Sequence, residues 1–132
     1  MKQESHFRAL EETFTMLRLA ALEGVEKWQS SIGFHCSAGA MHLLEMYLHQ
    51  NGLIDPGTMI KHDSFVSEKM AREQLSMPIP GKDELIGLLV SLEKKRNILC
   101  YGKPQPKAVI EGYILTFNAV KDFLEQLGVR YE

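Results

Sequence analysis

Glycine and proline punctuate this chain at three places, and every long segment between them has helical periodicity. The clusters run from Asn51 to Gly57, from Met77 to Gly81 and from Gly102 to Pro106. Proline cannot continue a helix, and glycine takes the left-handed conformation that ends one. No alternating strand pattern with hairpin turns occurs, and no internal repeat or low-complexity tract stands out. The chain is therefore confined to helix-on-helix packing.

The first helix is expected from about residue 3 to residue 29, where Phe7, Leu10, Phe14, Leu17, Ala21 and Trp28 keep a seven-residue rhythm. The second is expected from Ile32 to Gln50. Asn51-Gly52 then supplies a left-handed stop over which Leu53 closes, and Asp55-Pro56-Gly57 makes a turn. A weaker third helix covers Thr58 to Leu75; its apolar residues are sparse, which puts it on the surface. Met77 to Gly81 is an extended connector. The fourth helix, Asp83 to Tyr101, has Leu85, Leu88, Leu89, Leu92 and Leu99 on one face. The fifth opens near Pro106, buries Ile110, Tyr113, Phe117, Val120, Leu124 and Leu127, and ends at Gly128. Short connectors between long helices make antiparallel neighbours. The expected fold is all-α: an up-and-down bundle of four long helices plus one shorter helix, as one domain over residues 1–132.

The bulk composition excludes several classes. A net charge of −2 argues against a surface that attracts nucleic acid everywhere. No apolar run reaches the length of a membrane span. The polar start, Lys2-Gln3-Glu4, is no signal peptide. Cys36 and Cys100 form neither a CxxC nor a metal spacing, and a reducing cytoplasm is the expected setting. There is no phosphate-cradling glycine loop and no G-x-S-x-G. Glu11-Glu12, Asp83-Glu84 and Glu93 have no metal-site spacing among themselves and read as solvated faces or partners of nearby bases.

Arg96 breaks the leucine stripe of the fourth helix. At about 100° per residue it falls near the middle of that stripe, where leucine belongs. A guanidinium stays charged, so it needs a carboxylate, a dimer cleft or an anionic ligand. Five of the chain's 15 lysines and arginines (Lys94, Lys95, Arg96, Lys103 and Lys107) fall in one stretch of 14 residues that contains none of its 17 acids. Such a local site suits a phosphate or a nucleic-acid backbone. Lysines near a helix C-terminus also simply complement the macrodipole. Asn97 and Tyr101 share a face, whereas Arg96 and Tyr101 are about 140° apart on an ideal helix. They converge on one ligand only if the helix frays at Gly102, or if two copies meet across a dimer axis.

Arg96-Asn97-Ile98-Leu99-Cys100-Tyr101 resembles the signature of HEPN (higher eukaryote and prokaryote nucleotide-binding) domains. That signature is an arginine, a polar residue and, four to six positions on, a histidine near the end of a late helix in a small bundle. Tyr101 stands where the histidine would be, at the shortest spacing. The stretch from His35 to Phe65, with Asn51-Gly52-Leu53-Ile54 and Lys61-His62, also resembles the family's second helix and following loop. The resemblance implies a HEPN-like bundle. Catalytic members cleave RNA without a metal; the histidine handles the proton of the attacking 2′-hydroxyl and the arginine stabilises the developing charge. Tyrosine, with a reference pKa of about 10, is a poor base at neutral pH. The resemblance therefore implies binding of a nucleotide or RNA phosphate rather than cleavage. Were cleavage retained, its residues would be Arg96, Tyr101 and, if its loop folds over Arg96, His62. The resemblance further implies a nucleotidyltransferase partner of the toxin–antitoxin kind.

His35, His42 and His49 stand seven residues apart on the second helix, about 10.5 Å per step, which is too far for two of them to share an ion. No metal and no cofactor are expected. Ala38, Gly39, His42 and Met46 suggest a second contact face between subunits, hence a homodimer. The expected ligand-binding residues are Arg96, Asn97, Tyr101, Lys94, Lys95 and Lys103. The competing reading is a helical dimerisation or docking module without a ligand, in which Arg96 is paired with Glu45 or Glu11.

Overall fold

The computed structural model describes residues 2–131. They form five helices: α1 (Gln3–Glu23), α2 (Gln29–Gln50), α3 (Glu68–Gln74), α4 (Lys82–Tyr101) and α5 (Lys107–Gln126), with single 3-10 turns at Val25–Trp28 and His62–Phe65. There is no strand among the described residues. Four long helices and one short one match the expected all-α bundle.

α2 is the central element. It packs against α1, α4 and α5, and it is buried nearly all round from Leu43 to Leu48. Such a helix belongs to a core rather than to a surface. Antiparallel pairing with α1 follows from Gln3 beside Gln50 at 2.9 Å and from the Thr13 hydroxyl donating to the His35 carbonyl at 3.1 Å. α5 runs parallel to α2: the Tyr113 hydroxyl donates to the Gly33 carbonyl at 2.9 Å, and the Arg130 amide donates to Gln50 Oε1 at 2.8 Å. α4 returns antiparallel to both, which completes an up-and-down course.

The first helix departs from expectation. It stops at Glu23, because Gly24 takes a positive φ of 106° and redirects the chain into a 3-10 turn; α2 then begins at Gln29. The buried seam of α1 is His6, Leu10, Thr13, Met16 and Ala20. Phe7, Phe14 and Leu17 only flank it, and Ala21 is exposed. The polar His6 and Thr13 take core positions because each finds a partner on α2.

The third segment also departs. Residues before Glu68 are loop and a 3-10 turn, and the helix begins only after Ser67, whose hydroxyl caps it by accepting from the Met70 amide at 3.2 Å. The segment is not a surface appendage: Ile60, Phe65, Ala71 and Leu75 are buried. At the end of α2 the expected stop is present, with Gly52 at φ 64° and the Leu53 amide bonded to the Leu48 carbonyl at 2.8 Å.

The second contact face inferred from Ala38, Gly39, His42 and Met46 is divided between surface and core: Ala38 is exposed and His42 half-buried. Gly39 packs on Phe117 and Thr13, and Met46 is buried. Gly39 admits neighbouring helices of the same chain. No helix of the described residues is long and apolar enough to cross a membrane.

Candidate functional site

The end of α4 is held by the start of α2. Ser30 Oγ donates to the Cys100 carbonyl at 2.9 Å, and Gln29 Nε2 donates to the Lys103 carbonyl at 3.0 Å. Gln29 Oε1 accepts from the Gln105 amide at 2.7 Å. These side chains satisfy carbonyls that the last turn of α4 and its loop leave open. Gly33 lets the two helices touch: a Cβ there would lie 2.9 Å from Cys100 Sγ and 3.0 Å from both Cys100 N and Leu99 Cβ. Gly102 is required by a close approach rather than by left-handed geometry. Its φ is −87°, and a Cβ would meet the Ile98 carbonyl oxygen.

On this fixed end, Arg96 is half-buried, as its place in the stripe requires, yet no carboxylate of the described residues lies within ion-pair distance of it. Its guanidinium carbon sits 5.4 Å from the centroid of the Phe34 ring. Nη1 donates to Asn97 Oδ1 at 3.1 Å, while Nε is buried without a partner. Phe34 also meets Tyr101, ring centroids 5.4 Å apart and planes at 90°. One aromatic from α2 thus joins the two α4 residues that helix geometry separates. Tyr101 is 71% exposed, and Phe34 and Ile98 are also exposed. Lys94, Asn97, Ile98 and Tyr101 share one face by their i, i+3, i+4, i+7 spacing.

The remaining predicted residues disperse. Lys95 lines a groove against α5 with Ala108, Val109 and Gly112. Lys103 is exposed in the loop after α4. His62 does not contact Arg96; its Nδ1 lies 2.9 and 3.0 Å from the two carboxylate oxygens of Glu93. Glu11 is exposed, and Glu45 points elsewhere. Phe34 went unnoticed in the sequence. The available signal was an aromatic lying off the apolar face of α2.

A second cluster lies at the other end of α2. His6, 1% exposed, places Nδ1 2.8 Å from His42 Nδ1 and Nε2 3.8 Å from Glu45 Oε1. His49 lies nearby, its ring tilted 33° to that of His6 with centroids 6.3 Å apart. The Nε2 atoms of His6 and His49 are both buried without a hydrogen-bond partner. Burial, reinforced by His42, lowers the His6 pKa to about 4, and burial also lowers that of His42. Burial raises the Glu45 carboxyl, opposed by a hydrogen bond from the Ile60 amide and by His49. His6 and His42 are therefore favoured in the neutral form. His35 takes no part in it: only its backbone carbonyl is engaged, by Thr13. His42 and His49 do not themselves come together, but each meets the imidazole that α1 brings between them.

Comparison with protein-family models, with curated proteins and with solved structures yields no match.

Proposed function

We propose that the face built from Arg96, Asn97, Tyr101, Lys94 and Phe34 binds the phosphate and base of a nucleotide or an RNA strand. The observation that carries this reading is the half-buried Arg96, without a carboxylate and lying against an aromatic ring beside an exposed tyrosine. A guanidinium with free donors suits phosphate, and exposed rings suit a stacked base. The HEPN-like signature points to the same ligand class. Tyr101 replaces the family's histidine, and His62, held by Glu93, does not take its place, so the reading is binding without cleavage. Two copies meeting over the apolar Phe34, Ile98 and Tyr101 would set two such faces side by side. The reading also includes a nucleotidyltransferase partner and a cytoplasmic setting.

The exposed apolar trio favours a second reading, a docking module that recognises a protein and no phosphate. Fluorescence anisotropy with a labelled single-stranded RNA separates the two. On the binding reading the chain binds, Arg96→Ala and Tyr101→Ala each weaken binding by about tenfold or more, and affinity falls with salt. Absence of binding at low salt, with the fold intact, supports the docking module.

A further inference from the structure

The cluster at the far end of α2 lies roughly 16 Å along the helix from Phe34 and has no part in the reading above. It presents an unusual arrangement for a core. Two buried imidazole nitrogens lack partners, and the carboxyl of Glu45, a 5% exposed residue, lies 3.8 Å from one of them. Leaving buried polar atoms unsatisfied is unfavourable, so such groups normally have a partner.

We propose that His6, Glu45 and His49 bind one divalent transition-metal ion, of which Zn²⁺ is the reference. Their ligand atoms all lie within 4.8 Å of one another. Metal–nitrogen and metal–oxygen bonds of about 2.0–2.2 Å set tetrahedral ligand separations near 3.4 Å, so small side-chain rotations close the set. Imidazole ligands select zinc and its transition-metal neighbours over magnesium and calcium. Two histidines and a glutamate also make an open three-ligand set, the kind that leaves a position for water or a ligand. Glu45 and His42 line a cleft of about 300 Å³ that Met41, Ile60, Lys61 and His62 help to wall. Of the three ligands, Glu45 is the one that borders this cleft.

His42 is the positioning residue. Metal on His6 Nε2 requires the proton on Nδ1, and His42 Nδ1 accepts it at 2.8 Å. The Ile60 amide similarly orients the Glu45 carboxylate. Spacing along α2 alone hides the site, since one ligand comes from α1.

The test is equilibrium dialysis of the metal-stripped chain against Zn²⁺ alone, with circular dichroism to check the fold of every variant. The expected result is one Zn²⁺ per chain. Binding should fall by more than about 100-fold in Glu45→Gln and in His49→Asn, by about 10–100-fold in His42→Gln, and not at all in His35→Ala. Co²⁺ loaded in place of Zn²⁺ should give visible absorption bands that His42→Gln shifts, a change that a purely structural role would not produce. Failure to take up a stoichiometric ion, or uptake unaffected by Glu45→Gln and His49→Asn in folded protein, would overturn the proposal.

Discussion

Replacing Gly33 with alanine tests the contact that holds the candidate site together. An added Cβ meets Cys100 Sγ at 2.9 Å, with Cys100 N and Leu99 Cβ at 3.0 Å. Ordinary carbon contacts lie near 3.5–4.0 Å, and two of these three atoms belong to or adjoin the α4 backbone, so α4 must move outward by about half an ångström or more. Overpacking of this kind costs about 1–3 kcal/mol, while alanine gains about 1 kcal/mol over glycine in a helix interior. The net expectation for Gly33→Ala is a loss of about 0–2 kcal/mol. Gly87, also inside a helix, has nothing within 4 Å of its Cβ position and serves as the reference. Gly87→Ala should stabilise by about 0.5–1 kcal/mol. At about 3–5 °C per kcal/mol for a chain of this size, Gly87→Ala should raise the melting temperature by a few degrees, while Gly33→Ala should leave it unchanged or lower it by up to about 10 °C. The Phe34–Tyr101 contact should loosen in Gly33→Ala alone. Equal stabilisation by both substitutions would refute the close approach of α2 and α4.

Arg96→Ala should change stability by no more than about 1 kcal/mol in a urea melt. It removes a cation–aromatic contact and a stem but also a buried orphan Nε, whereas breaking a buried ion pair would cost about 3–5 kcal/mol. Ser67→Ala removes the cap of α3 and should cost about 1 kcal/mol, with amide exchange quickening first at Met70. His6 titrates near 4 in the fold, below its unfolded value of 6.5, so the unfolded chain binds more protons as pH falls. Its contribution to stability is complete above pH 6.5 and lost between pH 6.5 and 4, on the order of 3 kcal/mol in metal-free protein. His6→Gln should flatten that part of a pH series of urea melts.

The fold was legible wherever apolar period and punctuation agreed. In α5 every residue of the expected stripe from Ile110 to Leu124 is buried, and Asn51-Gly52 ends α2 as its chemistry dictates. The seam of α1 was misread because His6 and Thr13 occupy core positions; their partners lie on α2 and cannot be seen from α1 alone. The region from Thr58 to Ser67 was read as helix but is a loop with a 3-10 turn, because it folds inward to bury Ile60 and Phe65. Arg96 was conspicuous from its place among leucines. Its meeting with Tyr101 depends on Phe34, a residue on another helix, and so required the tertiary structure. The same holds for the cluster of His6, His42, Glu45 and His49: three of the four stand on α2, and the fourth arrives by packing.

On the proposed reading, the α2–α4 end of the bundle receives a phosphate and a base. The most direct measurement is an NMR titration of isotope-labelled protein with a short single-stranded RNA, following the Arg96 side-chain NεH and the Phe34 and Tyr101 rings. The account predicts a saturable downfield shift of the Arg96 NεH and ring-current shifts at Phe34 and Tyr101. His6, His42 and His49 should stay unmoved, and the shifts should weaken as salt rises. Saturable shifts confined to other residues, or none at these three side chains at any RNA concentration, would contradict it.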